Sequence, residues 1–129
     1  MKRCTLLLFA VAVTAAATAQ TKLTDAVKFA SVEINLGQVK QNEPATGTFT
    51  VINISTKPLV IEHATPGCGC TIADYTKESI APGKTGFIKA TYNAASIGSF
   101  VKTVTVKFLG VDETQAITLT GEVTGPAKE

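Results

Sequence analysis

The sequence has no tryptophan and a single histidine, His63, and its aromatic residues are few. Without tryptophan a carbohydrate-stacking platform is unsupported. With Cys4 set aside at the N-terminus, His63, Cys68 and Cys70 are three soft ligands, short of the four protein ligands of a structural zinc site. Also absent are a G-x-S-x-G elbow, an H-E-x-x-H pair and a glycine-rich phosphate loop leading into a helix. The carboxylates Glu33, Glu62, Asp74 and Glu78 are scattered along the chain. No catalytic set is assigned, and an enzyme is not the expected reading. There is no internal repeat, low-complexity tract or long run of one charge, so a single domain is expected.

What is present begins with Lys2 and Arg3, an apolar stretch from Leu6 to Ala17, and the small-x-small sequence Ala17-Thr18-Ala19 before Gln20. That three-part pattern is a secretory signal peptide over residues 1–19, with cleavage expected after Ala19. The apolar run is shorter than the roughly 20 residues a bilayer demands, and Thr14 and Thr18 interrupt it. No transmembrane segment is expected after cleavage. Cys4 lies ahead of the apolar run, where a lipid-anchored cysteine would follow it, so Cys4 leaves with the signal. Cleavage also removes Lys2 and Arg3 from the twelve basic side chains, leaving ten against ten acidic ones. A near-neutral protein gives no reason to expect nucleic acid or an anionic membrane as partner. Residues 20–129 are therefore read as one domain of the periplasm, cell surface or extracellular space.

Within that domain, short runs rich in Val, Ile, Thr and Phe recur between Gly, Pro and Asn, the signature of a sandwich or barrel. Ile117, Leu119 and Val123 alternate with Thr118, Thr120 and Glu122, and Val104, Val106 and Phe108 alternate with Thr103, Thr105 and Lys107. Period two of this kind is a half-buried strand. The connection from Leu109 to Glu113 contains Gly110, so these two runs are expected to form an antiparallel hairpin. Ile88, Ala90 and Tyr92 form another alternating face, entered through Ala81-Pro82-Gly83-Lys84, a sequence suited to a type II turn. Phe49 and Val51 begin a further strand, and Leu59-Val60-Ile61 another. Phe29 to Ile34 and Leu36 to Val39 supply one kinked or two short strands broken at Asn35 and Gly37. Residues 20 to about 27 read as a short leader, and Gly125 to Glu129 as a tail. The expected fold is an all-β, immunoglobulin-like sandwich of about seven strands.

The chemically informative feature is Cys68-Gly69-Cys70, which follows Pro66-Gly67. In an oxidising compartment these two cysteines have only each other as intramolecular partners. A disulfide from i to i+2 closes so small a ring that it constrains the unfolded chain little. Three readings stay open. The pair is a rigidified turn or two packed thiols; or a redox site in which one cysteine attacks and the other resolves; or a soft-metal site with His63, five residues earlier, for which copper(I) fits best and Asp74 is a weak fourth ligand. The redox reading lacks the C-x-x-C spacing and helix N-terminus that usually activate a thiol. His63 alone also reads as a solvated histidine at a strand end.

These residues resemble a known family, the bacterial secreted proteins of domain of unknown function 1573, marked by a C-G-C-T motif. The resemblance runs through Phe49-Thr50-Val51-Ile52-Asn53, Lys57-Pro58-Leu59-Val60-Ile61, Cys68-Gly69-Cys70-Thr71 and Ala81-Pro82-Gly83-Lys84. It continues in Ile88 to Tyr92, Gly98-Ser99-Phe100 and Leu119-Thr120-Gly121-Glu122-Val123. Pro66-Gly67 departs from the bulkier polar residue expected ahead of the first cysteine. The family looks related to the immunoglobulin-like domains of pilus chaperones and sperm-protein-like modules, which implies a sandwich and no established activity. The expected function is accordingly a binding or structural module that engages another protein through an exposed strand edge or the loop around Cys68. The alternative is thiol–disulfide exchange or copper(I) handling at Cys68-Gly69-Cys70.

Overall fold

The computed structural model describes residues 22–125. The expected signal peptide, its cleavage at Ala19 and the tail beyond Gly125 lie outside the described residues. Eight strands build two four-stranded sheets, against the seven or so expected. They are β1 (Val27–Phe29), β2 (Glu33–Lys40), β3 (Ala45–Asn53), β4 (Ile61–Pro66), β5 (Thr71–Tyr75), β6 (Thr85–Tyr92), β7 (Gly98–Phe108) and β8 (Thr114–Thr124), preceded by one helical turn, α1 (Leu23–Ala26). The first sheet has the order β1-β3-β6-β5 and the second β2-β8-β7-β4. All pairings are antiparallel except β2 with β8, which is parallel. The chain therefore changes sheets between its first two strands.

Alternation decides which residues meet in the middle. Phe49 and Val51 of β3, Ile88, Ala90 and Tyr92 of β6, Val104, Val106 and Phe108 of β7, and Ile117, Leu119 and Val123 of β8 are all buried. Their neighbours along each strand are mostly threonine, lysine and glutamate, which β-propensity and charge place on the outer faces. The β7–β8 hairpin forms as expected, with Lys107 opposite Thr114 and Gly110 in the left-handed region at φ 78°. The turn before β6 is also as read: Lys84 N donates to Ala81 O at 2.9 Å, and Gly83 takes φ 77°.

Two local expectations are corrected. Residues 22–27 are not a loose leader, because Leu23, Ala26 and Val27 are buried in the core. Leu23 and Ala26 stand three apart on one turn, a repeat too brief to register as helical periodicity. The fifth expected strand is displaced. Leu59 makes only an isolated bridge with Ile80, and the strand proper runs from Ile61 to Pro66. Its sequence, Ile-Glu-His-Ala-Thr-Pro, has few β-branched apolar residues, and a register shift between Ile61 and His63 breaks its alternation.

One buried polar side chain ties the loops at the β3 end of the sandwich. Asn53 Nδ2 donates to Lys57 O at 2.7 Å and to Ile80 O at 2.8 Å. Its Oδ1 accepts from Ser55 N at 2.9 Å and from Ser55 Oγ at 2.7 Å. All of its hydrogen-bonding capacity is spent on neighbouring turns, which is how a fully buried amide is tolerated.

Candidate functional site

Cys68, Gly69 and Cys70 form the turn that carries the chain from β4 in one sheet to β5 in the other. Pro66 pairs with Val104, and Gly67 N donates to Thr103 O at 2.9 Å, the last tie between β4 and β7. The chain then leaves β7 for the opposite sheet, where Asn93 N donates to Cys70 O at 3.0 Å and Thr71 pairs with Tyr92. Cys68 and Cys70 are joined by a disulfide. Cys68 and Gly69 are exposed, whereas Cys70 is half-buried against the core. Thr71, at the start of β5, is buried at 4% exposure, and its Oγ1 lies 3.9 Å from each sulfur.

The structure does not bring the proposed metal set together. His63 sits on β4 opposite Lys107, three residues short of Pro66 and so roughly 10 Å back along the strand. Its side chain is exposed. Asp74 lies on β5 opposite Lys89, and its Oδ1 accepts from Tyr75 N. Among the described residues no three His, Cys, Asp or Glu side chains approach closely enough to hold a metal ion. With each cysteine sulfur bonded to the other, neither is a thiolate donor.

Strand addition needs an edge that is uncovered and flat. The four outer strands do not offer one. β1 has three residues. β2 has eight, but its register shifts between Asn35 and Gln38 around Gly37, which has φ 69°. β5 has five, and Tyr75 Oη reaches across to donate to Glu62 O of β4 at 3.2 Å. β4 ends in proline.

An opening remains where β4 stops short. β7 extends from Gly98, but β4 covers it only as far as Val104, with the Gly67 bond to Thr103 beyond. Gly98 to Lys102 are therefore paired with β8 alone. Thr103 O faces β4, and backbone groups alternate sides along a strand, so those of Ser99 and Val101 point to the open side. Val101 is 67% exposed, and on the other side of β7, toward β8 and β2, lies a shallow cavity of about 440 Å³ lined by Asn35, Gln38, Ser99, Val101, Thr120 and Glu122. Neither this opening nor the placement of the Thr71 hydroxyl had been read from the sequence. The Pro66-Gly67 dipeptide was the signal for the first, since proline cannot donate to a ladder. The fourth residue of C-G-C-T was the signal for the second.

Comparison with known proteins adds a family and a fold. A family model described as "Protein of unknown function (DUF1573)" matches residues 27–123. No curated protein matches the chain in sequence. Among solved structures, a protein of unknown function from Porphyromonas gingivalis W83 superposes with a TM-score of 0.64 at 16% identity, covering 75% of this chain and 46% of that one. The chain thus spans less than half the length of that relative. The ASH / PapD-like domain 7 of human CEP192 gives 0.63 at 12% identity, covering 98% of this chain and 99% of that domain. The YadV chaperone gives 0.56 at 15% identity, covering 81% and 55%. Identities this low establish a shared β-sandwich and nothing about activity.

Proposed function

The chain belongs to the DUF1573 family, whose description assigns no activity, and we propose that it is an exported protein-binding module that captures an extended polypeptide segment along the open start of β7. The observation that carries this reading is the stretch Gly98 to Lys102, paired on one side only. Unpaired strand backbone offers main-chain hydrogen bonds to any extended partner, and exposed side chains beside it supply selectivity. The exposed Val101 side chain beside the open backbone is placed to do the second. The short opening accommodates a few residues of partner, whereas the outer strands are short, interrupted in register or closed by proline. Export is supported by the charged, apolar and small-residue pattern of residues 1–19. A polypeptide partner is in keeping with YadV, which shares the fold and is described as a chaperone.

The test is Val101→Pro. The change removes an N–H that points to the open side and leaves the β8 ladder, carried by Phe100 and Lys102, in place. A displayed library of unstructured peptides is panned against the wild-type protein. The enriched peptides are expected to lose binding to Val101→Pro and to protect the Ser99 and Val101 amides from hydrogen exchange. Equal binding to both proteins, with protection elsewhere, refutes the reading.

A further inference from the structure

The turn beside that opening holds a second chemistry, and we propose that Cys68–Cys70 is a thiol–disulfide exchange site for protein dithiols, with the Thr71 hydroxyl stabilising the departing thiolate. This inference does not depend on strand addition at β7.

Three observations support it. The bond spans a sequence separation of two, so it closes too small a loop to stabilise the fold appreciably, and its role has to be sought elsewhere. The two cysteines are unequal, the residue Cys68 exposed and Cys70 half-buried against the core. An incoming thiolate therefore meets Cys68 first. Finally, the described core buries two polar side chains, Asn53 and Thr71, and they are satisfied differently. Asn53 spends itself on turns, whereas the hydrogen-bond partners found for Thr71 Oγ1 are the two sulfurs. A buried hydroxyl poised over a disulfide gains a far stronger acceptor once one sulfur becomes a thiolate.

The step balances as follows. A thiolate of the partner dithiol attacks Cys68 Sγ. A bond forms between the partner sulfur and Cys68, the Cys68–Cys70 bond breaks, and its electron pair leaves on Cys70 Sγ, where the Thr71 hydroxyl donates to it. The partner's second thiol, deprotonated, attacks its own sulfur in the mixed disulfide and releases Cys68 as a thiolate. The two protons given up by the partner are returned through solvent to Cys68 and Cys70. The partner dithiol is oxidised to a disulfide, and the cysteine pair is reduced to two thiols. Asn93 N on Cys70 O and the pairing of Thr71 with Tyr92 hold Cys70 and Thr71 in place while the turn opens at Cys68.

The experiment uses the exported protein, never reduced, with glutathione and dithiothreitol as probes and acid-quenched mass spectrometry as readout. Glutathione is expected to form its first adduct on Cys68. Dithiothreitol should reduce Thr71→Val about tenfold more slowly than wild type, with Thr71→Ser close to wild type. In the reduced protein, the pH profile for alkylation of Cys70 should move upward in Thr71→Val, a shift that a purely structural threonine would not produce. An adduct on Cys70, an unchanged rate and profile in Thr71→Val, or free thiols in the never-reduced protein overturns the proposal. If Thr71→Val does not fold, the position of the wild-type adduct and the thiol state decide the matter.

Discussion

Replacing Asn53 by alanine is expected to be among the most damaging single changes in this protein for the number of atoms it removes. The side chain makes four hydrogen bonds, and they are not equally replaceable. Lys57 O, 2.9 Å from Ser55 Oγ, takes up the hydroxyl proton that Asn53 Oδ1 gives up, and Ile80 O keeps Leu59 N at 2.9 Å. Ser55 N has Asn53 Oδ1 as its acceptor and is left without it. Counting about 1 kcal/mol for each of the two lost Nδ2 bonds and a further ~1 kcal/mol for the stranded Ser55 N–H, with the Ser55 hydroxyl re-satisfied at Lys57 O, gives a loss of about 3 kcal/mol. For a domain of about 100 residues each kcal/mol lowers Tm by about 5 °C, so the midpoint should fall by about 15 °C. Asn53→Asp separates donor from acceptor. A carboxylate still accepts from Ser55, but it faces the oxygens of Lys57 and Ile80 with nothing to donate. Burial and these two carbonyls favour the protonated acid, so its folded-state pKa lies above the unfolded value of about 3.9. The stability of Asn53→Asp is then fullest below that unfolded value and is lost as pH rises through the raised folded one. Urea unfolding followed by tyrosine fluorescence, with no tryptophan to obscure it, measures both variants. A loss below about 1 kcal/mol for Asn53→Ala, or an Asn53→Asp protein as stable at neutral as at acid pH, would refute the account.

The remaining predictions concern packing and the disulfide. A methyl group at Gly47 would press into Leu119, which is buried to 1% exposure, so Gly47→Ala should cost about 1–3 kcal/mol in urea unfolding despite alanine's modest size. The double variant Cys68→Ser, Cys70→Ser should lose less than about 2 kcal/mol, since so short a loop restricts the unfolded chain little. A loss as large as that of Asn53→Ala would make the disulfide a structural staple.

What could be read from the residues alone followed from periodicity. β6, β7 and β8 carry strict alternation of large apolar and threonine-rich positions, and each was recovered with its turn. β4 was displaced because its fit to the sheet comes from pairing with β7, a tertiary fact that a strand of Glu, His, Ala and Thr does not advertise. α1 was missed because one turn has no period. At the site, the spacing of Cys68 and Cys70 made a bond between them readable as a possibility, but distance along the chain misled about His63. The three strand residues from His63 to Pro66 alone carry the chain roughly 10 Å, about twice the rise of a helix. The motif Phe49 to Asn53 followed by Lys57-Pro58-Leu59 now has a physical reason, since Asn53 knots Ser55, Lys57 and Ile80 together.

The parallel pairing of β2 with β8 sets the order in which the molecule can be assembled. Glu33 must find Thr118 and Lys40 must find Thr124, across nearly the whole described sequence. No local turn can guide that search, and pairings so distant slow folding. The hairpin of β7 and β8 can form on its own, but the outer side of β8 stays bare until β2 docks. A chain emerging gradually from a ribosome or a membrane pore would hold β2 waiting for its last strand, exposing sticky backbone the longer emergence takes.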